Sequence, residues 1–131
     1  MRIFLLEDSP YRIAVFKQKA IGHVLDIAKT VEEAKIFLSL SRYDLMFLDH
    51  DLGGEVFVES GPGTGYEVAQ YLAAELNVTS NSDSPLRHNA STPIVVHSCN
   101  PGGAKAIKDI LPSAKTIPYV GLDIRGIIDS F

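Results

Sequence analysis

The sequence predicts an α/β domain in three layers: one five-stranded parallel sheet with helices on both faces. Three observations predict it. Five short apolar runs recur along the chain, each of strand length and bounded by turn residues. Helix-start signatures follow four of them, and the fifth leads into a short terminal segment. The run Leu45 to Leu48 is apolar throughout instead of alternating, as expected of a strand covered on both faces.

Arg2 to Leu6 is the first strand, closed by Glu7-Asp8. Ser9-Pro10 opens a helix with Ser as N-cap and Pro at the first position. That helix runs to about Ile21, with Ile13, Phe16, Lys17 and Ala20 on one face and Gly22 as its stop. Val24 to Ala28 is the second strand, and Thr30-Val31-Glu32-Glu33 is a capping box. The helix it opens presents Val31, Ala34, Phe37 and Leu38.

Asp44 to Leu48 is the third strand, and Asp49-His50-Asp51 follows at once. Gly53 to Gly63 reads as a loop, with Val56-Phe57-Val58 as a small hairpin or lid. Thr64-Gly65-Tyr66-Glu67 is another capping box, whose helix turns Val68, Ala69, Leu72 and Leu76 inward. Residues 77–92, rich in Ser, Asn and Asp, read as an exposed flexible loop. Ile94 to His97 is the fourth strand, and Asn100-Pro101 opens a helix to about Leu111. Thr116 to Val120 is the fifth, placed at a sheet edge because Pro118 cannot donate to a ladder. Leu122 to Phe131 is at most a short helix.

The 131 residues fit one domain, and no second domain or internal repeat is visible. A net charge of -4 without a Lys/Arg-rich run argues against a broad nucleic-acid surface. No apolar stretch has the length of a membrane span. Cys99 is the single cysteine, so a reducing, cytoplasmic setting is the expectation.

Glu7, Asp8, Asp49, His50, Asp51, His97, Ser98 and Asn100 all fall at or just beyond strand carboxyl ends. In a flavodoxin-like order 2-1-3-4-5, the first, third and fourth strands are neighbours, and ligands sit beyond their carboxyl ends. Carboxylates gathered there repel unless a cation neutralises them. Mg2+ is the expected cation, with Mn2+ as the alternative; Glu7, Asp8, Asp49 and Asp51 are its candidate ligands. Ser98 and Asn100 are candidate phosphate-binding groups beside the helix start near Gly102.

Each residue also has a plainer reading. Asp49 is a nucleophile, a metal ligand or a turn former, and Asp51 a metal contact or an Asx-turn. His50 is a general acid–base, a ligand or a brace for its loop. Adjacent strand residues face opposite ways, so if Ser98 faces the pocket, His97 is a core histidine. Asn100 is an N-cap first. His88 is expected to face solvent.

The layout resembles the receiver domain of two-component signalling. Glu7-Asp8 matches its acidic pair, Asp49 its phosphate-accepting aspartate, Asp51 the position whose carbonyl binds metal, and Ser98 its switch hydroxyl. That family has a lysine followed by proline at the end of strand five. Tyr119-Val120-Gly121 stands there here, and Lys115 lies at the other end of the strand. A closer resemblance is to the cyclic-phosphate-processing receiver domains. It is carried by Leu48-Asp49-His50-Asp51-Leu52-Gly53, Gly63-Thr64-Gly65-Tyr66-Glu67-Val68 and Val96-His97-Ser98-x-Asn100. Members place an arginine just after the acidic pair; here Ser9-Pro10 intervene and Arg12 comes later.

The resemblance implies metal-dependent handling of a cyclic phosphate, of the RNA-repair type, with Asp49, His50 and His97 as the chemical groups. The partner would be a phosphate-containing small molecule or an RNA end, and a homodimer is left open. The alternatives are a single-domain response regulator phosphorylated on Asp49, or a degenerate receiver that only binds protein.

Overall fold

The computed structural model describes residues 1–52, 58–78 and 83–131. The strands are β1 Arg2–Leu6, β2 Val24–Ala28, β3 Leu45–Leu48, β4 Ile94–Val96 and β5 Lys115–Thr116. The helices are α1 Pro10–Lys19, α2 Val31–Leu40, α3 Gly65–Leu76, α4 Pro85–Ala90, α5 Pro101–Ile110 and α6 Ile124–Asp129. The sheet is parallel with order β2-β1-β3-β4-β5, as expected. No helix among the described residues is long and apolar enough to cross a membrane.

Side chains alternate between the two faces of each strand, and this divides the core. Phe4, Leu6, Met46, Leu48, Ile94 and Val96 join residues of α2, α3 and α5 in one cluster. Ile3, Leu5, Leu45, Phe47 and Val95 join α1 and α6 in the other. Both faces of the inner strands β3 and β4 are covered, which is why Leu45–Leu48 and Ile94–Val96 carry no polar residue, whereas the edge strands β2 and β5 carry Asp26, Lys115 and Thr116.

The predicted caps form. Ser9, Thr30, Thr64 and Asn100 each accept a bond from a first-turn amide. The Thr64 box is displaced: Thr64 caps the amide of Tyr66, and Glu67 reaches back to Gly63 N at 3.0 Å. Leu76 and Lys17, expected on inner faces, are exposed.

The stretch 77–92 is not simply an exposed loop. Ser84 caps a six-residue helix, Pro85–Ala90, with the Ser-Pro pairing that also opens α1. Asn89 is fully buried and ties three segments: its Nδ2 donates to the carbonyls of Leu38 and Ser41, and its Oδ1 accepts from Tyr43 N. His88 is exposed, as expected, and its Nε2 donates to the Tyr43 carbonyl at 3.1 Å. The Val56-Phe57-Val58 hairpin falls mostly outside the described residues.

Strand β5 is shorter than expected. It ends at Thr116, although Ile117 N still donates to the Val96 carbonyl and Tyr119 N to the His97 carbonyl, both at 2.9 Å, before a 3-10 turn at Tyr119–Gly121; Pro118 stands between these donors, where an edge needs no N–H. The residues directly after the strand are therefore Ile117-Pro118, and the position before the proline holds isoleucine.

Candidate functional site

Register sets the centre of the site. Leu5 pairs with Phe47, and Phe47 with Val95. Two residues further along each strand stand Glu7, Asp49 and His97, on the α1/α6 face by alternation. The backbone keeps them level: Asp49 N donates to Leu6 O and His97 N to Leu48 O, both at 3.0 Å. One ligand atom from each of Glu7, Asp49 and His97 lies within 4.8 Å of the others, and all three residues are buried.

Such a row is electrostatically strained. Glu7 Oε2 accepts the amides of Asp8 and Ser9 at 3.0 and 3.2 Å, and its Oε1 lies 3.0 Å from His97 Nε2. Burial works to raise the Glu7 carboxyl, but His97, the Ser9 amide and Arg12 outweigh it and hold Glu7 below its usual value. Burial likewise holds the His97 imidazole below its usual value, against the pull of Glu7. Neutral His97 then carries its proton on Nε2 and donates to the Glu7 carboxylate. Its Nδ1 is the one buried side-chain polar atom without a partner among the described residues. It sits amid the rings of Phe16, Phe47 and Tyr119. An orphaned lone pair is the tolerable form of that vacancy, since a buried N–H without an acceptor would cost more.

Asp49 takes the opposite shift. Burial first, then the charge of Glu7, push its carboxyl up to about 8, against Arg12 and the His50 amide. Near neutral pH it keeps its proton and shares a hydrogen bond with Glu7. Arg12 is the cation at the rim: its Nη1 is 3.7 Å from Glu7 Oε1, its Nη2 3.8 Å from Cys99 Sγ, and its guanidinium lies 4.4 Å from the Tyr119 ring centroid. The sequence located Arg12 after the acidic pair but not its stacking on Tyr119. Asp8 stands half-buried beside the row.

The other predicted residues lie on the opposite side of the strand tips. His50 is fully buried; its Nδ1 donates to Asp51 Oδ1 at 2.7 Å, and its Nε2 is 2.8 Å from Ser60 Oγ. Asn100 caps α5 through Gly103 N, while its Nδ2 donates to Asp51 Oδ1 and the Val58 carbonyl, both at 3.0 Å. Asp51 thus meets His50 and Asn100. Ser98 is buried, and its Oγ accepts from Asn100 N at 3.1 Å, which leaves its proton to donate. It lines a groove of about 340 Å³ with Cys99, Lys105, Lys108 and Pro118. Ser60 had no sequence signal beyond its place in a Gly-rich loop.

Two glycines let both sides close. A Cβ on Gly65 would overlap the Asp49 carbonyl, and one on Gly103 would overlap the His50 ring. Gly65 N also donates to His50 O at 2.8 Å, which pins the loop after β3 to the start of α3.

Solved structures share this fold. The phosphorylated cyanobacterial phytochrome response regulator RcpA superposes with TM-score 0.65 at 20% identity, over 98% of this chain and 91% of that one. The response regulator TrrA from Thermotoga maritima, in complex with Mg2+ and BeF, gives 0.65 at 17%, over 98% and 96%. The Mn2+-bound response regulator Rcp1 gives 0.63 at 20%, over 99% and 92%. At such identities the likeness is one of fold. No curated protein matches the chain. The model of the cyclic-phosphate processing receiver domain matches residues 2–113, which span β1 to β4 and α1 to α5, and the chain belongs to that family.

Proposed function

We propose that this receiver domain binds a divalent cation at Glu7, Asp49 and His97, with Asp8 beside them, and there holds and processes a cyclic phosphate or phosphate ester. The observation that carries the reading is the buried row itself. Two carboxyls and an imidazole that crowd into one space, one carboxyl forced to keep a proton, are relieved when a cation takes that proton's place. The oxygen donors suit Mg2+, and the imidazole makes Mn2+ a good alternative. Such a cation would supply charge stabilisation at a phosphoryl oxygen.

The chain's own groups have separate parts. Glu7 is oriented by His97 and by two backbone amides. Arg12, held flat on Tyr119, faces the acidic row and would take phosphate oxygens as a fixed planar donor. His97 would exchange a proton with Glu7 and, to ligate through Nε2, must pass that proton to Nδ1. His50 reaches the surface through Ser60 and is the second proton-moving group. Ser98 would donate its free hydroxyl proton to phosphate. Asn100 and Asp51 position His50 through their side chains, and Asp51 would meet the cation through its backbone carbonyl, as the resemblance implies. The substrate would be a phosphate-containing small molecule or an RNA end, met in a cytoplasmic setting and with self-association left open.

A nucleoside 2',3'-cyclic phosphate with Mg2+ or Mn2+ tests this. The expected result is turnover or saturable binding that needs the cation and is lost in Asp49→Asn. Neither turnover nor binding with either metal contradicts it.

One observation favours a second reading. Asp49 occupies the tip of β3 in a fold shared with a phosphorylated response regulator, RcpA. Against it, Ile117 precedes Pro118 where signalling receivers carry lysine. Acetyl phosphate with Mg2+ separates the readings: a stable mass gain lost in Asp49→Asn supports signalling.

A further inference from the structure

The network behind β3 ends in Ser60, a hydroxyl that takes no chemical step of its own in the proposed phosphate reading. Asp51 Oδ1 lies 2.7 Å from His50 Nδ1, and His50 Nε2 lies 2.8 Å from Ser60 Oγ. A carboxylate only accepts, so the Nδ1 hydrogen belongs to the bond with Asp51. Asn100 supports that assignment, because its Nδ2 donates to the same Asp51 oxygen at 3.0 Å. Nε2 is then a lone pair, and Ser60 must donate its hydroxyl proton to it. This is the tautomer a general base needs beside a serine nucleophile.

Burial completes the arrangement. The His50 ring is fully buried, Asp51 is mostly buried, and Ser60 is exposed. The base is held dry and fixed in orientation, packed so closely on Gly103 that no Cβ fits between them. The nucleophile alone faces solvent.

We propose that Ser60 is an activated nucleophile, with His50 as its base and Asp51 and Asn100 as positioning residues, and that it reacts with carboxylic esters. The Asp51 carboxylate beside His50 disfavours an anionic electrophile, so an uncharged acyl carbon is the better match for Ser60 Oγ. Ser60 Oγ bonds to the acyl carbon as its proton moves to His50 Nε2. The ester C–O bond breaks as that proton passes to the leaving alcohol. Water then attacks the acyl-serine by the same route, which releases the acid and restores the hydroxyl.

The test uses the whole chain in metal-chelating buffer, so its outcome is independent of the cation-dependent phosphate reading. Phenylmethylsulfonyl fluoride is the probe: Oγ displaces fluoride, and the adduct is located by peptide mass spectrometry. The expected result is one adduct on Ser60, forming about 10²–10⁴-fold faster than on the same chain unfolded in urea. Ser60→Ala abolishes it. Asp51→Asn, with folding checked by circular dichroism, slows it, and p-nitrophenyl acetate hydrolysis falls in parallel. No adduct on the folded chain, an equal rate in urea, or equal labelling of Ser60→Ala would overturn the proposal and leave the His50–Ser60 bond as a brace for its loop.

Discussion

The two sides of the same strand tips are built on opposite principles. On the α1/α6 side, Glu7, Asp49 and His97 are buried together with one carboxyl pushed up to about 8 and one ring nitrogen that has no partner among the described residues. On the α5 side, His50, Asp51, Asn100 and Ser60 bond to one another. The first side is left in need of something, as a binding site is. The second holds its groups in one arrangement, as a rigid proton-handling network does. Alternation along β1, β3 and β4 produces the split, since neighbouring residues Asp49 and His50, or His97 and Ser98, must face opposite ways.

The largest expected effect, summed over the whole span between the unperturbed and folded values of Asp49, lies in the pH dependence of the cation-free protein. Asp49 titrates near 3.8 when unperturbed and near 8 in the fold, so between those values the folded state binds more protons than the unfolded one. Stability therefore falls as pH rises, by at most about 1.4 kcal/mol per pH unit. His97, held below its usual 6.5, works the other way beneath that value. The window from about pH 7 to 8 isolates Asp49. Chemical denaturation across it should show a falling midpoint that flattens in Asp49→Asn; a wild-type slope retained in the variant would refute the shift.

Next come the two glycines, one for each side. Gly65→Ala drives a methyl into the Asp49 carbonyl, and Gly103→Ala into the His50 ring. Each should cost about 3 kcal/mol. Gly65→Ala should also weaken cation binding, while Gly103→Ala should disturb the His50 network first, read from the His50 ring signals by NMR. Equal effects on both readouts would mean the two sides are not separable. Asn100→Ala removes a cap and a bond to Asp51 together, for about 2 kcal/mol by thermal unfolding.

Much of this was legible in the chain. The run Leu45–Leu48 ending in Asp49 and the caps at Ser9, Thr30 and Asn100 locate the strands, their order and the acidic tips. Other features depend on pairings that no local pattern holds. Ser84-Pro85 carries the same start signal as Ser9-Pro10, yet its polar surroundings hid it, and burial of Asn89 depends on carbonyls from α2 and the amide of Tyr43. The end of β5 turned on the 3-10 turn at Tyr119–Gly121, which draws the chain out of the strand just after Pro118 and which no local signal marks. Which acids face which side followed from period-two alternation, but only once the register was known. Ser60 meets His50 through loop closure over ten residues, and nothing in its neighbours announces that.

The most direct measurement is isothermal titration of the protein with Mn2+ and Mg2+, alongside Asp49→Asn and Glu7→Gln. One saturable site in the wild type, absent from both variants and releasing about one proton near neutral pH, is the predicted result. No binding in the wild type, or unchanged binding in the variants, would contradict a cation site at the tips of β1, β3 and β4.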